Sequence, residues 1–366
     1  MGTKSYTISL CAVTLLTSFS LANVEAGTFR PVASSRIPGI LRMISAQVRS
    51  NYERIRTWEG QVDVKQRTIY EGPQAELVFK TYTDATGKTP KMVVELMESR
   101  IQFRADLKTG LFYSRNERTR SPQYIDFETG RDLGSKLSAG YRISIVTPEY
   151  HLHLTSSKTQ ESLGTKRIAF KEEPPEECLP CEIPSVFDPR TLFEIPKPVW
   201  ETFAEILQHI SEHGEYVVDG YALKVEERVD GYLTEYRLRI PEKSGDGNHI
   251  FITRTSSSAK GYNMLLAEVT NVSGRLIKKG TLDYELIDGV FVPNRTIAER
   301  FTGQNGQRNY EKSAALKNLR MNHPIPAETF TYKNLGLRNR DRLIDNVLGK
   351  EYVYQDEQLI PADRKK

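Results

Sequence analysis

The chain has 366 residues and a formal net charge of +4, from 51 basic and 47 acidic side chains. This balance is too weak to indicate a nucleic-acid-binding protein. Beyond the N-terminal segment, no stretch is apolar enough to predict a transmembrane helix. The chain is long enough for a large core, as one β domain or two smaller ones.

Residues 1–26 have the pattern of a secretory signal peptide. Lys4 precedes an apolar run from Ile8 to Ala22, and Val24-Glu25-Ala26 puts small residues where signal peptidase requires them. We expect cleavage after Ala26 and a periplasmic or secreted mature chain, with a retained membrane anchor as the alternative. The mildly basic charge would also suit an anionic membrane surface.

An amphipathic helix is predicted next, over residues 37–57. Pro38 fits its first turn, and apolar residues recur at spacings of three and four, which places them on one face. These residues are Ile37, Leu41, Ile44, Val48, Tyr52 and Ile55.

Short strands are predicted to follow this helix. The first starts at Trp58, where apolar and polar residues alternate. Gly or Pro separates most of the later ones, which are Leu77–Tyr82, Met92–Leu96, Ile101–Phe103, Leu111–Ser114, Gln123–Phe127 and Ile143–Val146.

A proline-rich crossing and a second helix divide the predicted strands into two halves, about 27–170 and 215–335. Pro198 begins this helix and Gly214 ends it, which predicts residues 198–213. In the second half, Asp-Gly pairs such as Asp230-Gly231 favour hairpin turns. Residues 336–366 are assigned to a C-terminal tail.

The crossing contains Cys178-Leu179-Pro180-Cys181, flanked by glutamates. In an oxidising compartment we expect Cys178 and Cys181 to form a local disulfide. A redox centre is disfavoured because negative neighbours raise a thiol pKa, and a haem anchor would need His where Glu182 stands. A structural zinc site is the alternative, with His209 and His213 completing the set.

Histidines offer two further metal hypotheses. His209, Glu212 and His213 match the H-x-x-E-H pattern of zinc hydrolases, in which two histidines hold zinc and the glutamate activates water. His151 and His153 alternate on one predicted strand and therefore share a face. A cofactor is not predicted from the sequence, and no catalytic residue is assigned.

The strongest signal is the amount of apolar strand surface. Two helices cannot cover the apolar face of so long a sheet, so it either closes as a barrel or curls around the helices and leaves a hollow. Such a hollow suits an acyl chain or another apolar ligand, although the same residues could simply fill a core. The residues predicted to line it are Tyr232, Tyr236, Leu238, Tyr284 and Leu286.

Three segments resemble the bacterial outer-membrane lipoprotein carrier and receptor superfamily (LolA/LolB-like), which includes the sensor-regulator RseB. They are RIRTWEGQVDV (Arg54–Val64), DGVFVPNRTIAE (Asp288–Glu299) and IPAETFTYKNLGL (Ile325–Leu337). The resemblance implies an α+β fold, a strongly curved antiparallel half-barrel over residues 27–335 with both helices on its concave face. It also implies a cavity for lipoprotein acyl chains.

We therefore predict an exported, non-enzymatic envelope protein that binds a lipid, a lipoprotein acyl chain or another apolar ligand. An envelope protein-interaction or stress-sensing module is the first alternative. A zinc-dependent hydrolase built on His209, Glu212 and His213 is the second. The ligand, the partner and the oligomeric state stay open.

Overall fold

The computed structural model describes residues 27–75, 91–130, 132–134, 140–157, 165–173, 191–192, 195–302 and 306–362. The long helices of this part of the chain are α1 (Ile37–Glu53) and α2 (Val199–His213). The predicted signal peptide, the predicted strand Leu77–Tyr82 and the pair Cys178 and Cys181 lie outside the described residues.

The remaining described residues are mostly strands. Those before α2 are β1 (Arg30–Pro31), β2 (Thr57–Glu71), β3 (Met92–Asp106), β4 (Leu111–Asp126), β5 (Asp132–Gly134), β6 (Gly140–Val146), β7 (His151–Ser157), β8 (Ile168–Glu172), β9 (Thr191–Leu192) and β10 (Ile195–Pro198). Those after α2 are β11 (Val217–Val218), β12 (Tyr221–Ala222), β13 (Lys224–Asp230), β14 (Leu233–Lys243), β15 (His249–Ser257), β16 (Met264–Asn271), β17 (Leu276–Ile287), β18 (Val290–Thr302), β19 (Gln307–Met321), β20 (Arg342–Asp345), β21 (Lys350–Gln355) and β22 (Gln358–Pro361).

Eighteen of these strands form one curved, unclosed sheet. Successive neighbours pair in the order β1, β13, β14, β15, β16, β17, β18, β19, β2, β3, β4, β6, β7, β8, β20, β21 and β22, with β5 beside β4. These pairs are antiparallel except β8–β20. The predicted halves therefore share one sheet, because β19 of the second half pairs with β2 of the first.

Both helices pack on the concave face of this sheet, which confirms the predicted α+β half-barrel. Their apolar stripes meet side chains from strands that are far apart in the sheet, including Val225 on β13 and Val146 on β6. We call this cluster the helix-covered core. Asn51 also ties α1 to β18, since its side-chain amide donates to the Phe291 carbonyl and accepts from the Phe291 N–H, both at 2.8 Å.

The helix boundaries differ little from the predictions. α1 ends at Glu53, before the predicted residue 57, because Thr57 already belongs to β2. α2 begins at Val199 after Pro198 and ends at His213, where Gly214 caps it with a φ of 87°, the left-handed conformation typical of a C-terminal glycine.

The strands of the first half are longer than predicted. Met92–Leu96 and Ile101–Phe103 belong to one strand, β3, and Leu111–Ser114 and Gln123–Phe127 are joined in the same way through β4. In the sequence, the polar residues between the apolar runs indicate boundaries between separate strands. In the structure their backbones continue the ladder with the neighbouring strands.

The segment assigned to a C-terminal tail contributes three strands. β20 pairs with β8, and β21 and β22 extend the sheet from it. A second cluster, the rear cluster, forms on the face of β6, β7 and β8 that points away from the helices. Its buried members are Ile143, Ile145, Leu152, Leu154, Ala169, Phe330, Leu335, Leu337 and Leu343.

A buried ion pair joins the C-terminal segment to β8. Arg167 and Asp341 are 3% and 2% exposed, and Nε of Arg167 donates to Asp341 Oδ2 at 2.9 Å. The backbone N–H of Arg167 donates to Asp341 Oδ1 at 3.0 Å. A buried pair with several hydrogen bonds fixes relative position, because separating its partners would leave a charge buried alone.

Candidate functional site

The concave face has a part that the helices fill and a part that they leave open. Under the helices, α1 and α2 bury Leu41, Ile44, Phe203 and Ile206 almost completely. This part is a packed core. Farther along the sheet, on β15, β16, β17 and β18, a third apolar cluster is formed by Ile252, Met264, Ala267, Val269, Leu282, Tyr284 and Ala298.

An open groove of about 790 Å³ lies beside this third cluster. It is placed at the tips of the neighbouring β14–β15 and β16–β17 hairpins, which turn at the same end of the sheet. Its apolar floor and wall come from Ile250, Ile252, Val269, Val272 and Ile277.

The rim of the groove is polar and carries charges of both signs. Lys243, Arg275 and Lys278 are its strong cations, and Glu242 and Asp246 are its carboxylates. The Asp246 carboxylate is held within its own turn, where it accepts hydrogen bonds from Ser244 and Asn248. An apolar floor with a polar rim suits a ligand that has an apolar body and a polar head.

Arg254 lies two residues along β15 from the groove floor at Ile252. Residues i and i+2 of a strand share a face, and the register places Arg254 between Leu238 of β14 and Ala267 of β16. Its side chain is fully buried, and its guanidinium carbon lies 5.7 Å from the centre of the Phe203 ring on α2. The chain thus holds a cation inside an apolar surface.

The guanidinium of Arg254 makes only some of the hydrogen bonds that its N–H groups could donate. Nε donates to Ser256 Oγ at 2.9 Å and Nη2 donates to the Tyr262 carbonyl at 3.2 Å, whereas Nη1 is buried without a partner. Among the described residues, no carboxylate forms an ion pair with it. Burial therefore lowers the pKa of Arg254 to about 10, which still leaves it charged at neutral pH.

Three of the five predicted cavity residues are buried in the sheet. Tyr236 and Leu238 belong to the helix-covered core, and Tyr284 belongs to the third cluster. The Tyr284 hydroxyl donates to the Met264 carbonyl at 2.9 Å, and burial raises the pKa of Tyr284. Burial and the carboxylate of Glu227 raise the pKa of Tyr236 to about 12.

The other two predicted cavity residues point to solvent. Tyr232 is fully exposed in the β13–β14 turn, and Leu286 is 58% exposed near the end of β17. Tyr232 belongs to a turn, where side chains no longer follow the alternation of a strand. A ligand contact by Tyr232 or Leu286 stays a prediction, and it would have to be made by an exposed side chain.

The histidines of α2 lie in its last turn, where His213 is exposed and His209 is half-buried. The His209 and His213 rings stack with centroids 4.4 Å apart, and Nδ1 of His213 lies 3.1 Å from the His209 carbonyl oxygen. Glu212 accepts a hydrogen bond from Gln208. These contacts are ordinary helix-end interactions, and the three side chains do not converge on one point.

A different set of possible metal ligands does converge. His151 and His153 on β7 lie close to Glu172 on β8, with all three donor atoms within 4.8 Å of one another. The sequence indicated the histidine pair, but the carboxylate joins it only through the β7–β8 pairing.

No helix of the described residues is long and apolar enough to cross a membrane.

Arg254 and the groove were not predicted from the sequence. One signal for Arg254 was present, because it interrupts the apolar alternation of Ile250 and Ile252 on the buried side of β15. The groove had no comparable signal, since its residues come from two hairpins that only the sheet brings together.

Comparison with known proteins gives distant likenesses. No protein-family model matches the chain, and no curated protein matches it. A DUF1329 family protein from Desulfovibrio piger is 12% identical over 81% of this chain and 98% of its own, with a TM-score of 0.36. An outer membrane lipoprotein-sorting protein domain from Vibrio parahaemolyticus is 9% identical over 81% of this chain and 97% of its own, with a TM-score of 0.35. Both likenesses are distant, and the function is inferred below from the residues of this chain.

Proposed function

We propose that the chain is an exported, non-enzymatic envelope protein that binds an acyl chain, carried by a lipid or a lipoprotein, on the concave face of its sheet. The observation that carries this proposal is the open groove, whose apolar floor the two helices leave uncovered. Its volume of about 790 Å³ lies within the range of about 300–1,000 Å³ typical of small-molecule sites. Burial of apolar surface would drive binding.

Arg254 indicates that the bound acyl ligand carries an anionic group at its inner end. The groove lining extends to Ile252. A ligand that displaced the covering side chains beyond Ile252 would meet Arg254, whose Nη1 has no partner. A carboxylate or phosphate oxygen would accept from that N–H and pair with the buried charge. Phe203 of α2 covers this position, so α2 acts as a lid that shifts when the ligand enters.

The primary experiment measures uptake of a fluorescent fatty acid by the delipidated chain from Gly27 onward. Ile250→Glu puts a charge on the groove surface at a half-buried position. It should weaken uptake at least about tenfold, because a carboxylate opposes burial of the acyl chain. Ile360→Glu makes the same change on β22, far from the groove and 44% exposed in the wild type, and should leave uptake unchanged. Absence of uptake, or equal uptake by the two variants, would contradict the proposal.

The role of Arg254 has its own readout. The wild type should prefer the fatty acid over its methyl ester, and Arg254→Met should reduce this preference about tenfold, the value expected of one charge-assisted hydrogen bond. Both Trp residues, Trp58 and Trp200, line a smaller groove of about 390 Å³ where α2 begins. Their fluorescence should therefore change on binding if α2 moves, and an unchanged spectrum would argue against the lid.

A further inference from the structure

The paired strands β7 and β8 bring three metal-binding side chains together on one face of the sheet. His151 and His153 alternate with Leu152 and Leu154, which are buried in the rear cluster. Since alternate residues of a strand point to opposite faces, both imidazoles project to the concave side. The register places His151 directly opposite Glu172 of β8.

The donor atoms are close enough to share one ion. Nδ1 of His153 lies 3.9 Å from Glu172 Oε2, and the two imidazole centroids are 5.2 Å apart. His153 stacks on Phe170 at 5.3 Å, which orients its ring. Its Nδ1 atom is buried and makes no hydrogen bond. A buried ring nitrogen that lies beside a carboxylate and makes no hydrogen bond is an arrangement that a metal ion would complete.

His151 already has the supporting contact that metal-bound histidines usually make. Its Nε2 lies 2.7 Å from Oγ of Ser144, a buried residue on β6. When Nε2–H donates to this hydroxyl, Nδ1 carries the lone pair. Such a contact fixes the tautomer and the ring orientation of a metal ligand.

The charges around the pair favour neutral imidazoles. Burial lowers the pKa of both histidines, and the charge of Arg142 on β6 lowers both further, while Glu172 opposes the shift. His151 is also lowered by His153. Neutral imidazole is the form that binds a metal. Arg142 weakens the attraction for a cation, and the Glu172 carboxylate offsets it.

We propose that His151, His153 and Glu172 form a Zn²⁺ site, with His151 and His153 binding through Nδ1. Two imidazoles and one carboxylate are an established zinc ligand set, and they leave a fourth position for water. In tetrahedral zinc the donor atoms are about 3.3 Å apart, so side-chain rotations must close the present separations of up to 4.8 Å. Glu172, whose side chain is 46% exposed, has the freedom to do this.

The test is a Zn²⁺ titration of the chelator-treated chain, followed by calorimetry and by elemental analysis after dialysis. We expect one ion per chain. His153→Gln and Glu172→Gln should each weaken binding by about a hundredfold or more, and Ser144→Ala by about tenfold, as expected for a residue that orients a ligand. Glu172 is partly exposed, so its variant should fold even if a histidine variant does not.

The matched control is the double variant His209→Gln and His213→Gln, which removes the stacked histidine pair of α2. It should leave binding unchanged, as should Cys178→Ser with Cys181→Ser. Loss of the ion in either control with retention in Glu172→Gln would overturn the assignment, and so would absence of stoichiometric binding. Uptake of the fatty-acid probe does not depend on this site, so the two proposals fail separately.

Discussion

Arg254→Met is the most informative substitution, because the structure predicts that removing this buried charge costs little stability. The fall of the Arg254 pKa from its ordinary value to about 10 corresponds to roughly 3 kcal/mol by which burial disfavours the charged form. The hydrogen bonds to Ser256 and Tyr262 return about 1 kcal/mol each. Methionine keeps most of the apolar stem and needs no partner.

We therefore expect the free energy of unfolding of Arg254→Met to lie within about 1 kcal/mol of the wild type or above it. The assay is urea denaturation followed by circular dichroism. Leu238→Ala provides the contrast: Leu238 is the fully buried neighbour of Arg254 on β14, and its truncation should cost about 2–5 kcal/mol. A loss of more than 3 kcal/mol in Arg254→Met would show that the guanidinium is a structural element, and the reasoning that reserves Nη1 for a ligand would be refuted.

Three further predictions concern how the fold is held together. Asp341→Asn should destabilise the chain by about 3–5 kcal/mol at neutral pH, measured by urea denaturation, because it leaves Arg167 buried without a countercharge. Burial raises the pKa of Asp341, but the hydrogen bonds from Arg167 and Arg338 together with the charge of Arg167 lower it more. The folded-state pKa is thus below the unfolded value, so the wild-type advantage should be present above about pH 4 and disappear as the pH falls through the folded-state pKa. Asn51→Ala should cost about 2 kcal/mol in the same assay, since it removes both hydrogen bonds to β18, and an unchanged midpoint would mean that packing alone holds α1. Gly214→Ala should lower the free energy of unfolding by about 1 kcal/mol, because its φ of 87° is unfavourable for alanine. Gly39→Ala lies within α1, where an added Cβ meets open space, and it should raise thermal stability slightly. Equal shifts in the two variants would contradict the argument from backbone conformation.

The sequence by itself determined the local elements with strong periodicity. The apolar spacing of α1, and the Pro198 and Gly214 boundaries of α2, are local signals that the structure confirms within a few residues. The excess of apolar strand surface over two helices predicted a sheet that either closes as a barrel or curls around the helices, and the structure has the curved, unclosed form. That inference needs only the period of the pattern and the amount of surface to be buried.

Only the tertiary structure decided where polar groups meet. Glu172 joins His151 through the β7–β8 register, and Asp341 reaches Arg167 across 174 residues of sequence. The spacing of residues in the sequence does not indicate such pairings. The tail assignment missed β20 for the same reason: a strand of four residues has too little pattern of its own, and its place is set by the parallel pairing with β8 and by burial of Leu343 in the rear cluster.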